Sequence, residues 1–237
     1  MQGIKEVFKM EENKIGFGKS SVTDVLMRKG IDLKKLEEEQ SKLAKQLRLK
    51  DSIDFSQADR IGACDNLFLK NKIISAIVVC DSELNIVEQK YFTEVADFPY
   101  VPGFRAYREL PAMIACFQEL SEKPDIIFIH GHGLSHPRLG LASHFSIATG
   151  IPSIGVAGGL VAGEIHGDYV VIGGKKVAKL LKEKIGSKPL FVSPGNLISL
   201  ETAYELAKKL IRLPHKLPEP LHLAHRYAKE VIKTLKE

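Results

Sequence analysis

The spacing of apolar residues changes along this chain, and each change predicts an element. Residues 1 to 30 are polar and interrupted by glycine, with KIGFGKSS in the middle and no apolar repeat long enough to predict structure. From Leu33, the positions Leu33, Leu36, Leu43, Ala44 and Leu47 recur at helical spacing with Lys and Glu opposite, predicting a helix of about four turns that packs on a sheet. RIGACD (60–65) and IISAIVVCD (73–81) are short runs rich in β-branched residues that end in Asp, and NIVEQKYFTEV follows them. An antiparallel meander is the simplest reading.

After the loop DFPYVPGF, a helix is expected to begin near Pro111 and to run through PAMIACFQELSEK, since proline suits a first helical position. The pattern then switches. DIIFIH (125–130) reads as a fully buried strand, a helix spans about Arg138 to Thr149 before Gly150, and IPSIGVAG returns as a strand: a βαβ unit with parallel strands. YVVIGG and PLFVSPG predict further strands. Ser199 can N-cap LETAYELAKKLI, with Glu201 in its first turn, and a last helix follows PEP from about Leu221 to Leu235. KKVAKLLKEKIG has a helical composition but stands between two strands. The predicted fold is α/β: a mixed sheet, antiparallel then parallel, flanked by helices, with its chemistry at the carboxyl ends of the strands.

Composition adds limits to this picture. A chain of 237 residues suits one large domain, and 44% hydrophobic with 27% charged residues is enough for a sizeable core. Cys64, Cys80 and Cys116 lie in apolar surroundings without C-x-x-C spacing, so reduced thiols and a cytoplasmic protein are expected. No apolar run approaches the ~18 residues of a membrane span, so no membrane association is expected. A net charge of +5 is mild, but six lysines stand against one acid between Lys175 and Lys188. Such a patch suits a polyanion, through counterion release, or is a solvated face.

Polar residues at predicted strand or loop ends are Asp65, Asp81, Glu109, His130, His132 and Asn196, with His225 arriving from the last helix. Acids and histidines together suggest a metal site. Taken singly, Asp81 belongs to the hairpin turn DSELN, Asp125 starts its strand at the opposite end, and Glu109 can pair with Arg105 or Arg108. Asp65 differs, because an acid inside apolar sequence is costly to bury unless it is paired or bound to a cation.

FPYVPGFRAYRELP, PDIIFIHGHGLSHPRLGLASH, IPSIGVA, KPLFVSPGNLISLETA and LPEPLHLAH, in this order, resemble the successive signature blocks of endonuclease V, over roughly residues 33 to 237. The resemblance implies residues 31–237 as the family domain, with 1–30 an extension, and an RNase H-like fold. It also implies a magnesium-dependent nuclease of DNA repair that cuts inosine-containing DNA or RNA at the second phosphodiester 3′ to the inosine, and a monomer. Asp65 is then the first-strand metal ligand, Glu109 holds the metal's water, and His225 completes the catalytic set. Pro99, Tyr100, Val101, Pro102 and Gly103 match the wedge that enters the duplex, with Tyr100 stacking on unpaired bases. Gly131, His132, Gly133 and His136 match the loop that approaches the flipped base, and Arg138 is a candidate phosphate contact.

Two positions depart from the family pattern. His130 stands where the motif Asp-Gly-His-Gly has its second metal-binding aspartate, and Gly158 stands where the strand IPSIGVA normally leads to a lysine near the scissile phosphate. HPRLG is also one residue short. Magnesium is hard and prefers oxygen, whereas imidazole suits manganese, iron or zinc, so magnesium affinity is expected to fall and manganese to be preferred. Losing one cation at a reacting phosphate costs ~10²–10³ in rate; Lys175 or Lys176 are the candidate substitutes. Two other readings follow: a family member that binds deaminated or distorted nucleic acid without cutting it, and a small-molecule hydrolase with His130 and His132 as an H-x-H metal motif.

Overall fold

The computed structural model describes residues 22–182 and 186–236. KIGFGKSS and the lysine-patch residues Glu183 and Lys184 lie outside them. By its internal contacts the chain divides after Leu33. Helix α1 (Val22–Arg28) precedes the division, where sequence periodicity predicted no element; its short register buries Leu26 alone. Helix α2 (Leu33–Ala44) follows as expected, but its buried residue is Gln40, and its leucines are only half-buried. It packs on helix α3 (Arg105–Gln118) rather than on a sheet, and Tyr107 donates its hydroxyl to the Leu36 carbonyl at 3.1 Å.

The core is one sheet. Strands β1 (Ile61–Leu69), β2 (Lys72–Cys80) and β3 (Ile86–Val95) form the expected antiparallel meander. Strands β4 (Ile126–His130) and β5 (Ser153–Ala157) join it in parallel, β1 to β4 to β5, with helix α4 (Leu141–Thr149) as their crossover. Pairing then reverts to antiparallel through β9 (Leu190–Asn196), β8 (Lys175–Leu181), β7 (Tyr169–Ile172) and β6 (Glu164–His166), giving the order β3-β2-β1-β4-β5-β9-β8-β7-β6. The mixed sheet is therefore parallel only at its centre. Helices α5 (Leu200–Lys209) and α6 (Glu219–Thr234) cover one face with Ala63, Ile126 and Phe128, while α3 and α4 cover the other with Cys64, Ile127 and Ile129. All three cysteines are buried and free.

Several boundaries differ from expectation for physical reasons. Helix α3 begins at Arg105, and Pro111 lies inside it, because the apolar stripe Ala106, Met113, Cys116 and Phe117 buries against the sheet and outweighs one missing N–H. Helix α4 begins at Leu141, not Arg138, since Gly131 to Gly140 are spent on the loop that crosses the strand ends. Its C-terminus is closed by Gly150 in the left-handed region, as predicted. Lys175 to Leu181 form a strand: their helical composition yields to pairing with β7 and β9. Ser199 caps α5 by accepting the Thr202 N–H.

Candidate active site

The register of two adjacent parallel strands builds the centre of the site. Cys64 is level with Ile129, which sets Asp65 beside His130 one row further on. Side chains alternate, so Asp65 continues the face of Ile61 and Ala63, and His130 that of Ile126 and Phe128. This is the face on which α6 lies, and α6 supplies His225. Asp65 is not at a strand end: β1 runs on to Leu69, so its carboxylate is buried in mid-strand.

Both oxygens of Asp65 are engaged. Nδ1 of His130 lies 2.8 Å from one, and Nδ1 of His225 lies 2.6 Å from the other. An ionised carboxylate only accepts, so each ring presents its N–H. Burial by itself would raise the Asp65 carboxyl, but the hydrogen bonds from His130 and His225 outweigh it and hold the group at about 2. One ligand atom from each of Asp65, His130 and His225 lies within 4.8 Å of the others. One carboxylate and two imidazoles, two of the three partly exposed, form a donor set that fits a divalent ion of the manganese, iron or zinc kind better than magnesium.

Glu109 comes from the opposite layer, on α3, and is not in that group. Its Oε1 accepts Arg105 Nε at 2.5 Å, and its Oε2 accepts Asn66 Nδ2 at 2.8 Å. Asn66 follows Asp65 in β1 and so points to the α3 face, which is why it meets Glu109. Sequence reading offered Arg105 only as one possible partner of Glu109 and did not single out Asn66. Burial opposes the charge on Arg105, but the carboxylates of Glu109 and then Asp65 outweigh it and raise its affinity for the proton.

The loops around this centre are tightly held. Pro99 and Val101 are buried, Pro102 and Gly103 half-buried, and Tyr100 is 38% exposed. Gly103 has φ +82°, and a Cβ there would sit 2.8 Å from Arg138 Nη2. Arg138 is committed within the protein: Nε donates to Gln40 Oε1 at 2.7 Å, Nη1 meets Glu37 Oε1 at 3.1 Å, and its guanidinium lies over the Phe104 ring. As a candidate phosphate contact it is thus already engaged by Gln40 and Glu37. A Cβ at Gly133 would meet the Pro194 carbonyl oxygen at 2.3 Å, so packing on β9 already demands this glycine. His132 Nδ1 lies 3.1 Å from Ser135 Oγ, and His132 is not in the group of three that contains His130. Burial, then the Arg105 charge, lowers His132 to about 4; burial, then Arg138, lowers His136 to about 3.

Strand direction places three further candidates away from His130. Strand β9 runs antiparallel to β5, so Asn196 pairs with Ser153 at the far end of the sheet, where its Oδ1 accepts the Arg48 N–H at 2.7 Å. Strand β8 runs in the direction of β5, so Lys175 and Lys176 begin at the end away from His130. Lys176 lies over the Tyr169 ring instead, and Lys179 is paired with Glu201. Asp81 accepts the N–H groups of Glu83 and Asn85 in its hairpin, as read from the sequence.

Residues 41–226 match the family model described as Endonuclease V. The chain belongs to the endonuclease V family. It is 33% identical to the endonuclease V of Thermosipho melanesiensis over 218 residues, 88% of this chain and 92% of that one. The crystal structure of the Bacillus subtilis endonuclease V superimposes with a TM-score of 0.79 at 25% identity, covering 86% of this chain and 94% of that chain. An endonuclease V of Ciona intestinalis, 23% identical, has the same fold with a TM-score of 0.79, covering 86% and 98%; it was crystallised in complex with a 24mer DNA containing an inosine followed by a ribo-adenosine. The architecture is thus the RNase H-like mixed sheet of endonuclease V. Among the described residues no helix is long and apolar enough to cross a membrane.

Proposed function

We propose that this protein is an endonuclease that acts on inosine-containing DNA or RNA and cuts the second phosphodiester 3′ to the inosine, as part of the repair of deaminated bases. The observation that carries the reading is the convergence of Asp65, His130 and His225, from β1, β4 and α6, in a chain of the endonuclease V family. These three side chains would hold the ion, with manganese preferred over magnesium because two of three donors are imidazoles. A divalent ion held there would supply charge to polarise the phosphodiester and to activate a water. Glu109 acts beside it through Arg105 and Asn66 rather than as a ligand. The exposed ring of Tyr100 serves as the wedge, seated by the buried Pro99 and Val101, and the loop Gly131, His132, Gly133 and His136 receives the displaced base.

Gly158 favours a second reading. It is exposed, with open space around its Cα and no lysine to offer a reacting phosphate. The second reading is a family member that recognises inosine without cutting. A labelled duplex carrying one inosine, incubated in manganese and separately in magnesium, decides between them. A nick one bond past the lesion, stronger in manganese, is the expected result. Inosine-selective binding with no nick in either metal establishes the second reading, and binding indifferent to inosine overturns both.

A further inference from the structure

We propose that Arg105 is the residue that binds the scissile phosphate at this site, a proposal that rests on the nucleic-acid reading above. Arg105 is the first residue of α3, separated from the wedge loop only by Phe104. Its Nε is fixed by Glu109 one turn along the same helix, and Glu109 is itself fixed by Asn66 of β1. The direction of the guanidinium is therefore set from two elements. Among the described residues, only its Nε makes a hydrogen bond or ion pair. Nη1 and Nη2 remain as a two-pronged donor, the geometry that suits a phosphate.

The position of that donor matters as much as its chemistry. A Cβ at Gly131 would stand 3.3 Å from Nη1, so the glycine after His130 leaves this nitrogen uncovered. The same charge is felt at Asp65 and at His132. Arg105 thus stands beside the glycine that follows His130, within electrostatic reach of Asp65, His132 and Tyr100. The Arg105 side chain is 37% exposed, against 4% for Glu109, so a phosphate can reach the arginine but not the carboxylate. With Gly158 bare and Arg138, Lys175 and Lys176 directed elsewhere, Arg105 is the cation that this arrangement brings to the reacting phosphate.

The test measures binding, with metal chelated, so that the protein's own cation is read alone. Fluorescence anisotropy compares an inosine duplex with the same duplex carrying one neutral methylphosphonate at the second linkage 3′ to the inosine. The proteins are wild type, Arg105→Lys, Arg105→Gln, and Arg105→Gln combined with Glu109→Gln, which leaves no buried carboxylate unpaired. Wild type is expected to lose about tenfold in affinity on neutralisation of the linkage. Both glutamine variants are expected to lose that affinity on the natural duplex, to lose little more on the neutral one, and to show a salt slope smaller by about one. Lysine is expected to recover part of the loss. A merely structural arginine would not move the dependence on that one linkage. A wild-type protein indifferent to the neutral linkage, or a double variant that still pays the whole penalty, overturns the role of Arg105 while inosine selectivity survives. Loss of inosine selectivity in wild type overturns the functional reading itself.

Discussion

Asp65 carries an imidazole on each carboxylate oxygen, and by the family resemblance His130 is the partner expected to be an oxygen donor. Its replacement by aspartate restores a hard donor and one negative charge. His130→Asp is therefore expected to tighten magnesium binding by about 10–100-fold and to abolish the preference for manganese, as read by isothermal titration calorimetry. Unchanged magnesium affinity would remove His130 from the ligand set. Combined with Gly158→Lys, which enters open space, the same variant is expected to raise cleavage in magnesium on the inosine duplex. Much of this was legible beforehand: an acid in apolar sequence needs a partner, and Asp65 has two. The role of Asn66 was not, because which layer it faces depends on strand alternation at a register that only pairing defines.

Among the elements, the loop from Gly131 to Gly140 is held by β9 rather than by its own sequence. Gly133 donates its N–H to Ser193 Oγ at 2.9 Å, Leu134 donates to the Pro194 carbonyl at 2.8 Å, and Ser135 reaches Ser193 at 3.1 Å. A methyl group at 133 cannot be relieved by a side-chain rotation, since the atom it meets is backbone. Gly133→Ala is expected to cost about 1–3 kcal/mol in urea unfolding and to weaken inosine selectivity with it. A variant as stable as wild type would mean that the loop stands off β9 in solution. The glycines of this loop were legible as a place where side chains must be absent, but the sequence pointed to a base, whereas at 133 the nearest neighbour is a strand. Helix α3 shows a related limit: local proline chemistry favoured a start at Pro111, and burial of a long apolar stripe overrode it.

At the scale of the whole molecule, stability should depend on histidines that fold in the neutral state. Burial lowers His136 to about 3 and also lowers His144, while in the unfolded chain both titrate near the ordinary value of about 6.5. Below that pH the unfolded chain takes up protons that the folded chain refuses, so stability is full above about 6.5 and falls as pH drops toward the folded values. Thermal melts are expected to lose about 5 °C or more between pH 7.5 and pH 5, with His136→Gln flattening the dependence. Asp65 acts in a separate window: its lowered carboxyl contributes stability above about 4 that is lost as pH falls toward 2. A melting temperature constant from pH 7.5 to pH 5 would show that these imidazoles accept protons in the folded state.

The order and type of most elements from α2 onward, the buried acid, and the five motif blocks are properties of local pattern, and the sequence alone determined them. Local pattern says which residues share a face, because helix and strand periods are intrinsic to the backbone. It carries no strand direction. Tertiary structure alone decided that β9 turns antiparallel, which sends Asn196 to the far end of the sheet, and that β8 starts there with Lys175 and Lys176. It also decided that Asp65, His130 and His225 meet on one face while Glu109 stays with Arg105 on the other, since layers exist only once the sheet has two sides to cover.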